Sequence, residues 1–282
     1  MYQPGLFRLA LIAVALLLAA VRAWPEDVVQ TKTQTFRGRV TSVDATGVHI
    51  QLSQGGEVTV PRAGIVQLTV EPPPSVVRGL AAYEKGDLRE ALLNLGKITT
   101  HYRGLDTGWV VTGLVYFARA SLRAGQYDQA AQAFASFQQT YPEHPLGLAA
   151  AVGLAAIELS RKNYTNALER FQELAEPYTQ QIKPPKDQLP YVAEIYLGLG
   201  QTQEGLGHPA EALNEYWRVI GLYPVEPSCS EALYRAAELL VKSNQPQKAE
   251  KMLTELIENY PASSFAERAV ALRKTLGSRR TN

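Results

Sequence analysis

The sequence predicts a mainly α-helical protein. It should hold about five stacked helix pairs and a capping helix, preceded by a small antiparallel β-barrel-like domain. Three observations predict this. An Ala is followed eleven residues later by a Tyr in five places: Ala91/Tyr102, Ala130/Tyr141, Ala167/Tyr178, Ala212/Tyr223 and Ala249/Tyr260. A small residue stands twelve before each Ala, at Gly79, Ala118, Ala155, Gly200 and Ala237, and self-similarity at about 40 residues marks a stacked repeat. Residues 32–71 instead alternate polar and apolar positions over short runs, as half-buried strands do.

Taken in order, residues 1–23 read as a secretory signal peptide. Arg8 supplies the positive start, Leu9–Ala20 is an unbroken apolar run, and Val21-Arg22-Ala23 ends in a small residue. Cleavage before Trp24 is expected, which makes the protein exported and periplasmic. The alternative is an uncleaved membrane anchor, for which the run is short against the ~20 residues of a span. Removing the segment lowers Lys+Arg from 28 to 26 against 27 acids, so net charge stays near zero. There is no basic excess to favour nucleic acid.

Residues 24–31 are expected to be a linker. Four strands follow in residues 32–71: Thr35–Val43, Val48–Leu52, Glu57–Pro61 and Ile65–Val70, with room for a fifth. Ala45-Thr46-Gly47 and Gln54-Gly55-Gly56 supply turns. Pro72-Pro73-Pro74 reads as a stiff linker.

Residues 75–277 carry the repeats. In each, two helices flank a turn: Lys85-Gly86-Asp87, Ala124-Gly125-Gln126, Arg161-Lys162-Asn163, Leu206-Gly207-His208 and Ser243-Asn244-Gln245. Gly or Asn there suits a left-handed helix end. The small residue and the Ala should mark a close crossing of the pair. The closing Tyr is expected to pack on the first helix of the next unit. Ser228/Glu231 and Ser264/Glu267 read as capping boxes. The Ala spacings are 39, 37, 45 and 37, and the long one holds an insertion, residues 179–188, expected to be a surface loop. Residues 278–282 read as a short disordered basic tail.

These features resemble the tetratricopeptide repeat (TPR) family over about residues 75–277. The Tyr-Pro junctions Tyr141-Pro142, Tyr223-Pro224 and Tyr260-Pro261, with stretched spacing, resemble the repeats of bacterial envelope TPR proteins of the BamD and YbgF/CpoB type. The resemblance implies a right-handed solenoid that binds proteins along a concave face. Residues 32–71 resemble Sm-like or SH3-like barrels.

No catalytic motif is present, no His or Cys spacing suggests a metal site, and the four histidines fall in different elements. No enzyme activity, cofactor, metal or small-molecule substrate is therefore expected. Cys229 reads as a small, half-buried helix residue. In the TPR register the concave face should carry Tyr83, Thr112, Val115, Tyr116, Arg119, Arg123, Glu194, Leu197, Gln201, Glu204, Tyr234, Arg235 and Glu238. Of these, Tyr116 and Arg119 suit an anchor pair, because aromatics and Arg dominate interface energy. Tyr116 could equally pack between repeats. Some TPRs hold a peptide's terminal carboxylate with Lys and Asn; the equivalent Val115, Gly153 and Ala156 cannot. Small residues Ala149, Val152, Gly153 and Ala156 could admit a partner helix or merely pack tightly.

The expected function is a non-enzymatic, exported scaffold that binds a protein or peptide of the cell envelope. The alternative is a self-associating structural or tethering protein, with homo-oligomer contacts through the β-domain or the Tyr216/Trp217 surface.

Overall fold

The computed structural model describes residues 26–179, 183–224 and 227–280. The expected signal peptide lies outside them. The chain divides into two compact units: residues through Pro74 with Thr100–Thr107, and Ser75–Thr99 with Gly108 onward.

The first unit is a five-stranded antiparallel sheet in the order β4-β3-β2-β1-β5. Its strands are β1 (Asp27–Thr31), β2 (Thr35–Val43), β3 (Val48–Leu52), β4 (Glu57–Val60) and β5 (Ile65–Thr69). The expected linker at 24–31 thus contains a strand, and that strand joins β2 to β5. Its anchor is Asp27, whose buried carboxylate accepts from the Val40 N–H at 2.7 Å and the Glu71 N–H at 3.0 Å. Val40 borders a register shift in the β2–β3 ladder, where a backbone N–H needs a side-chain acceptor. A buried core of Val29, Val40, Val48, Ile50 and Val60 fills one face. The Gly55-Gly56 turn runs at φ of 94° and 90°, which only glycine adopts without strain. Tyr102 belongs to this unit and its hydroxyl donates to the Val40 carbonyl at 3.4 Å.

The second unit holds the repeats. Pair one is α1 (Pro74–Glu84) with α2 (Leu88–His101), pair two α3 (Gly108–Arg123) with α4 (Tyr127–Thr140), and pair three α5 (Gly147–Ser160) with α6 (Tyr164–Ala175). Pair four is α7 (Leu189–Leu206) with α8 (Pro209–Leu222), pair five α9 (Pro227–Lys242) with α10 (Pro246–Asn259), and α11 (Ala266–Arg280) caps the stack. Pro74, Pro209, Pro227 and Pro246 each open a helix, where a missing N–H goes unneeded. The cap helix continues through Arg280, past the expected boundary at Gly277.

One local device repeats in all five turns. Gly86, Gly125, Lys162, Gly207 and Asn244 take left-handed φ of 79°, 74°, 62°, 81° and 55°. The next N–H in each then bonds back along the helix, as Asp87 does to Ala82 and Gln245 to Leu240. In the third turn it is Lys162 and not Asn163 that carries the positive φ.

The crossing of each pair is as tight as the small residues imply. All five repeat alanines are fully buried, as are Ala118, Ala155 and Ala237. A Cβ on Gly79 would meet Leu95 at 2.7 Å, and one on Gly200 would meet Tyr216 at 2.3 Å. The contact partner is thus the apolar residue four after the repeat Ala. The same residue seats the next pair: a Cβ on Gly153 would lie 2.2 Å from Phe134, and one on Gly198 2.3 Å from Phe171.

Three expectations change. Two closing tyrosines turn back onto their own pair, Tyr223 stacking on Tyr196 of α7 at 6.1 Å and Tyr260 hydrogen-bonding Cys229 of α9, whereas Tyr178 reaches forward to Gln188 at the start of α7. Cys229 is fully buried, which pushes its thiol pKa up. Ser228 lies inside α9 rather than capping it, and near α11 it is Ser263 whose hydroxyl accepts from the Phe265 N–H, at 3.1 Å. Of the insertion, residues 180–182 lie outside the described chain. Tyr178 and Gln188 pair across its ends at 2.7 Å.

Glu215 on α8 is a local conflict. One carboxylate oxygen is buried without a hydrogen bond, and Arg218 stands 3.6 Å away. Burial raises its pKa, and Arg218 only partly opposes this. A raised carboxyl favours folding when protonated, so its penalty is present above the raised pKa and vanishes below the ordinary 4.5. Glu215→Gln is expected to raise Tm by about 2–4 °C at neutral pH. Melting curves should show that gain disappearing in acid; a gain independent of pH would contradict the cause given.

Candidate partner-binding groove

The first helices of pairs two to five line one face of the second unit, and most of the expected groove residues meet there in two clusters. The first is built on α3. Tyr116 meets Tyr83 of α1 edge to face, with centroids 4.9 Å apart. The Arg123 guanidinium lies 4.9 Å over the same Tyr83 ring. One turn earlier, Arg119 forms an ion pair with Glu194 of α7 and lies 5.9 Å over the Tyr191 ring. Burial disfavours the Arg119 charge, but Glu194 and Tyr83 together outweigh it and raise the pKa above its ordinary value. Thr112 is half-buried, one turn from Tyr116.

The spacing 116, 119, 123 places these three side chains on one stripe of α3. Arg119 reaches α7 because α5 lies between and is small. Ala149 and Val152 are buried, and Gly153 is closed by Phe134. The small face of α5 is therefore tightly packed and leaves no slot for a partner helix.

The second cluster joins α7 to α9. Gln201 donates to Glu231 at 2.7 Å, and Arg235 donates to the same carboxylate oxygen at 2.7 Å. Arg235 also lies 3.4 Å from Glu204, which accepts from Tyr216 at 2.6 Å. Burial and that hydrogen bond push the Tyr216 pKa well up, so the phenol stays a donor.

Several expected groove residues are not available. Val115 is 1% exposed and belongs to the core. Tyr234 is also buried, while Leu197, though mostly buried, still lines the groove described below. Tyr234 packs on Phe265 at 5.6 Å with Arg268 of α11 4.3 Å over its ring, and it hydrogen-bonds Glu238. Tyr216 is fully buried, so of the expected Tyr216/Trp217 surface only Trp217 is exposed. Tyr191 was not among the expected residues. Its signal was its place three before Glu194 on the same helix face.

Between the clusters opens a groove of about 700 Å³ bordered by Arg119, Arg123, Glu194, Glu231 and the α10–α11 turn with Phe265. Its walls mix guanidinium, carboxylate and aromatic surface. Among the described residues no group of His, Cys, Asp and Glu could hold a metal ion, and no helix is long and apolar enough to cross a membrane.

Residues 117–182 and 231–263 match models of the tetratricopeptide repeat. These segments are tetratricopeptide repeats. They take in most of pairs two and three and of pair five, and the TPR register assigned from the alanines runs through both. Among solved structures, a thermophilic TPR protein of Thermus thermophilus, TTC0263, superposes with a TM-score of 0.54 at 16% identity. The match covers 74% of this chain and 98% of that one. MamA from Desulfovibrio magneticus RS-1 matches with a TM-score of 0.44 at 17% identity, over 68% of this chain and 96% of that one. No curated protein matches the sequence. The TPR solenoid is typically a protein-interaction scaffold.

Proposed function

We propose that this chain is an exported, non-enzymatic scaffold of the cell envelope that binds a protein or peptide segment in the groove between α3, α7 and α9. The observation that carries the reading is the Tyr83–Tyr116–Arg119–Arg123 cluster beside an open groove. Aromatic and Arg side chains held rigid at a rim are the groups that anchor interfaces. Export rests on the Arg8, Leu9–Ala20 and Ala23 pattern. The resemblance of the Tyr-Pro junctions points to partners in outer-membrane assembly, cell division or the Tol–Pal system.

A cross-linked pulldown from envelope fractions tests it, with residues 24–282 beside a Tyr116→Ala, Arg119→Ala variant. One protein captured by the first should be lost by the second, a drop of about 30-fold or more in affinity. Equal capture by a variant that melts normally would move binding away from the groove.

A further inference from the structure

The charged side chains that border the groove are Arg119, Arg123, Glu194 and Glu231. Three of them are already engaged. Arg119 and Glu194 neutralise each other, and Glu231 accepts from Gln201 and pairs with Arg235. Arg123 differs. Among the described residues it forms no ion pair, and neutral groups hold it in place. The Tyr83 ring lies 4.9 Å beneath its guanidinium, which also donates to the Tyr83 carbonyl at 3.5 Å. Tyr116 fixes that ring from its edge. Stacking covers the flat face of a guanidinium and leaves N–H groups at its rim, where a carboxylate binds it. The exposed Arg123 is thus a held cation without a counter-ion. Much of the remaining border is apolar. Leu197 of α7 and Pro227 of α9 face it, with exposed Pro261 and Ala262 and half-buried Phe265 in the α10–α11 turn.

We propose that the groove takes a partner segment carrying an Asp or Glu side chain for Arg123 and a large apolar side chain for the Pro261–Phe265 wall. This rests on the reading of the groove as the binding surface and gives its occupant a chemistry. The sign follows from what is left unengaged. A Lys or Arg in the segment would find both bordering carboxylates already paired. It would have to break the Arg119–Glu194 or the Arg235–Glu231 contact to be held, leaving a half-buried guanidinium without its partner. An acid meets a guanidinium that gives up only water. The groove therefore selects against basic segments as well as for acidic ones. The apolar wall adds area to a contact that one exposed charge pair would leave weak.

Selection of a random peptide display library on the full chain tests the proposal, with the selected peptides then synthesised and measured by fluorescence anisotropy. The peptides should be enriched in an Asp or Glu together with a large apolar residue. Arg123→Ala should weaken them about tenfold, the worth of one charge-assisted hydrogen bond. Arg123→Glu should weaken them further and should instead bind the same peptides with Lys in place of the acid. Arg123 is exposed, and circular dichroism checks that both variants keep their fold. Peptides that the Tyr116→Ala, Arg119→Ala variant loses, but that carry no acid or ignore Arg123, would overturn the acidic partner and leave the groove as the binding surface. Peptides that bind this variant as well as they bind the parent, or no enriched peptide at all, would overturn both.

Discussion

Phe171→Ala is expected to lower the unfolding free energy by about 3–5 kcal/mol. The ring is 1% exposed and fills the space between α6 and the glycine face of α7. Gly198→Leu should also destabilise, by about 1–3 kcal/mol or more, because its side chain would enter the ring and force two helices apart. The two changes together should cost less than the sum of the singles, since the new leucine occupies the volume the ring vacated. Urea unfolding of all four proteins reads this directly. Strictly additive losses would mean that ring and glycine do not touch.

Glu194→Ala is expected to cost about 1–3 kcal/mol, more than an exposed ion pair would. It leaves the Arg119 guanidinium, whose side chain is 23% exposed, under Tyr191 without its carboxylate. Glu194→Gln keeps an acceptor and should cost less. If both variants unfold at the parent's urea midpoint, the bridge contributes nothing to stability and the rim of the groove is held by the aromatic contacts alone.

The repeat register was legible because packing imposes it on residue size. Only Gly or Ala fits where any side chain beyond a Cβ, and at Gly79 and Gly200 even the Cβ itself, would strike the neighbouring helix, so these positions recur with the period of the stack. β2, β3, β4 and β5 were legible from alternation. β1 was not: Asp27-Val28-Val29-Gln30-Thr31 shows no period-two pattern, and its key residue is a carboxylate, which in a sequence argues for surface. Asp27 is buried because two backbone N–H groups need it. The groove was read from register alone, which places a residue on a helix face but not at a depth. Tyr116, Arg119 and Arg123 reach the rim. Tyr234, one position of the same stripe further along the stack, is covered by Arg268 and Phe265 of the cap, whose placement no period encodes. The left-handed turn at Lys162 was hidden for a similar reason, since the fold fixes the turn and the sequence there only tolerates it.

The Arg119–Glu194 bridge joins pair two to pair four over the intervening pair. In an array where each unit touches only its neighbours, unfolding can advance one unit at a time, as in a linear Ising chain. A next-nearest-neighbour coupling changes those statistics. Releasing pair three alone now also strains a contact between the units on either side, so partly opened states that would otherwise be populated are raised in energy. The middle of the solenoid then opens as one cooperative block of three pairs, and the floor beneath the groove keeps its shape while the cap helix frays.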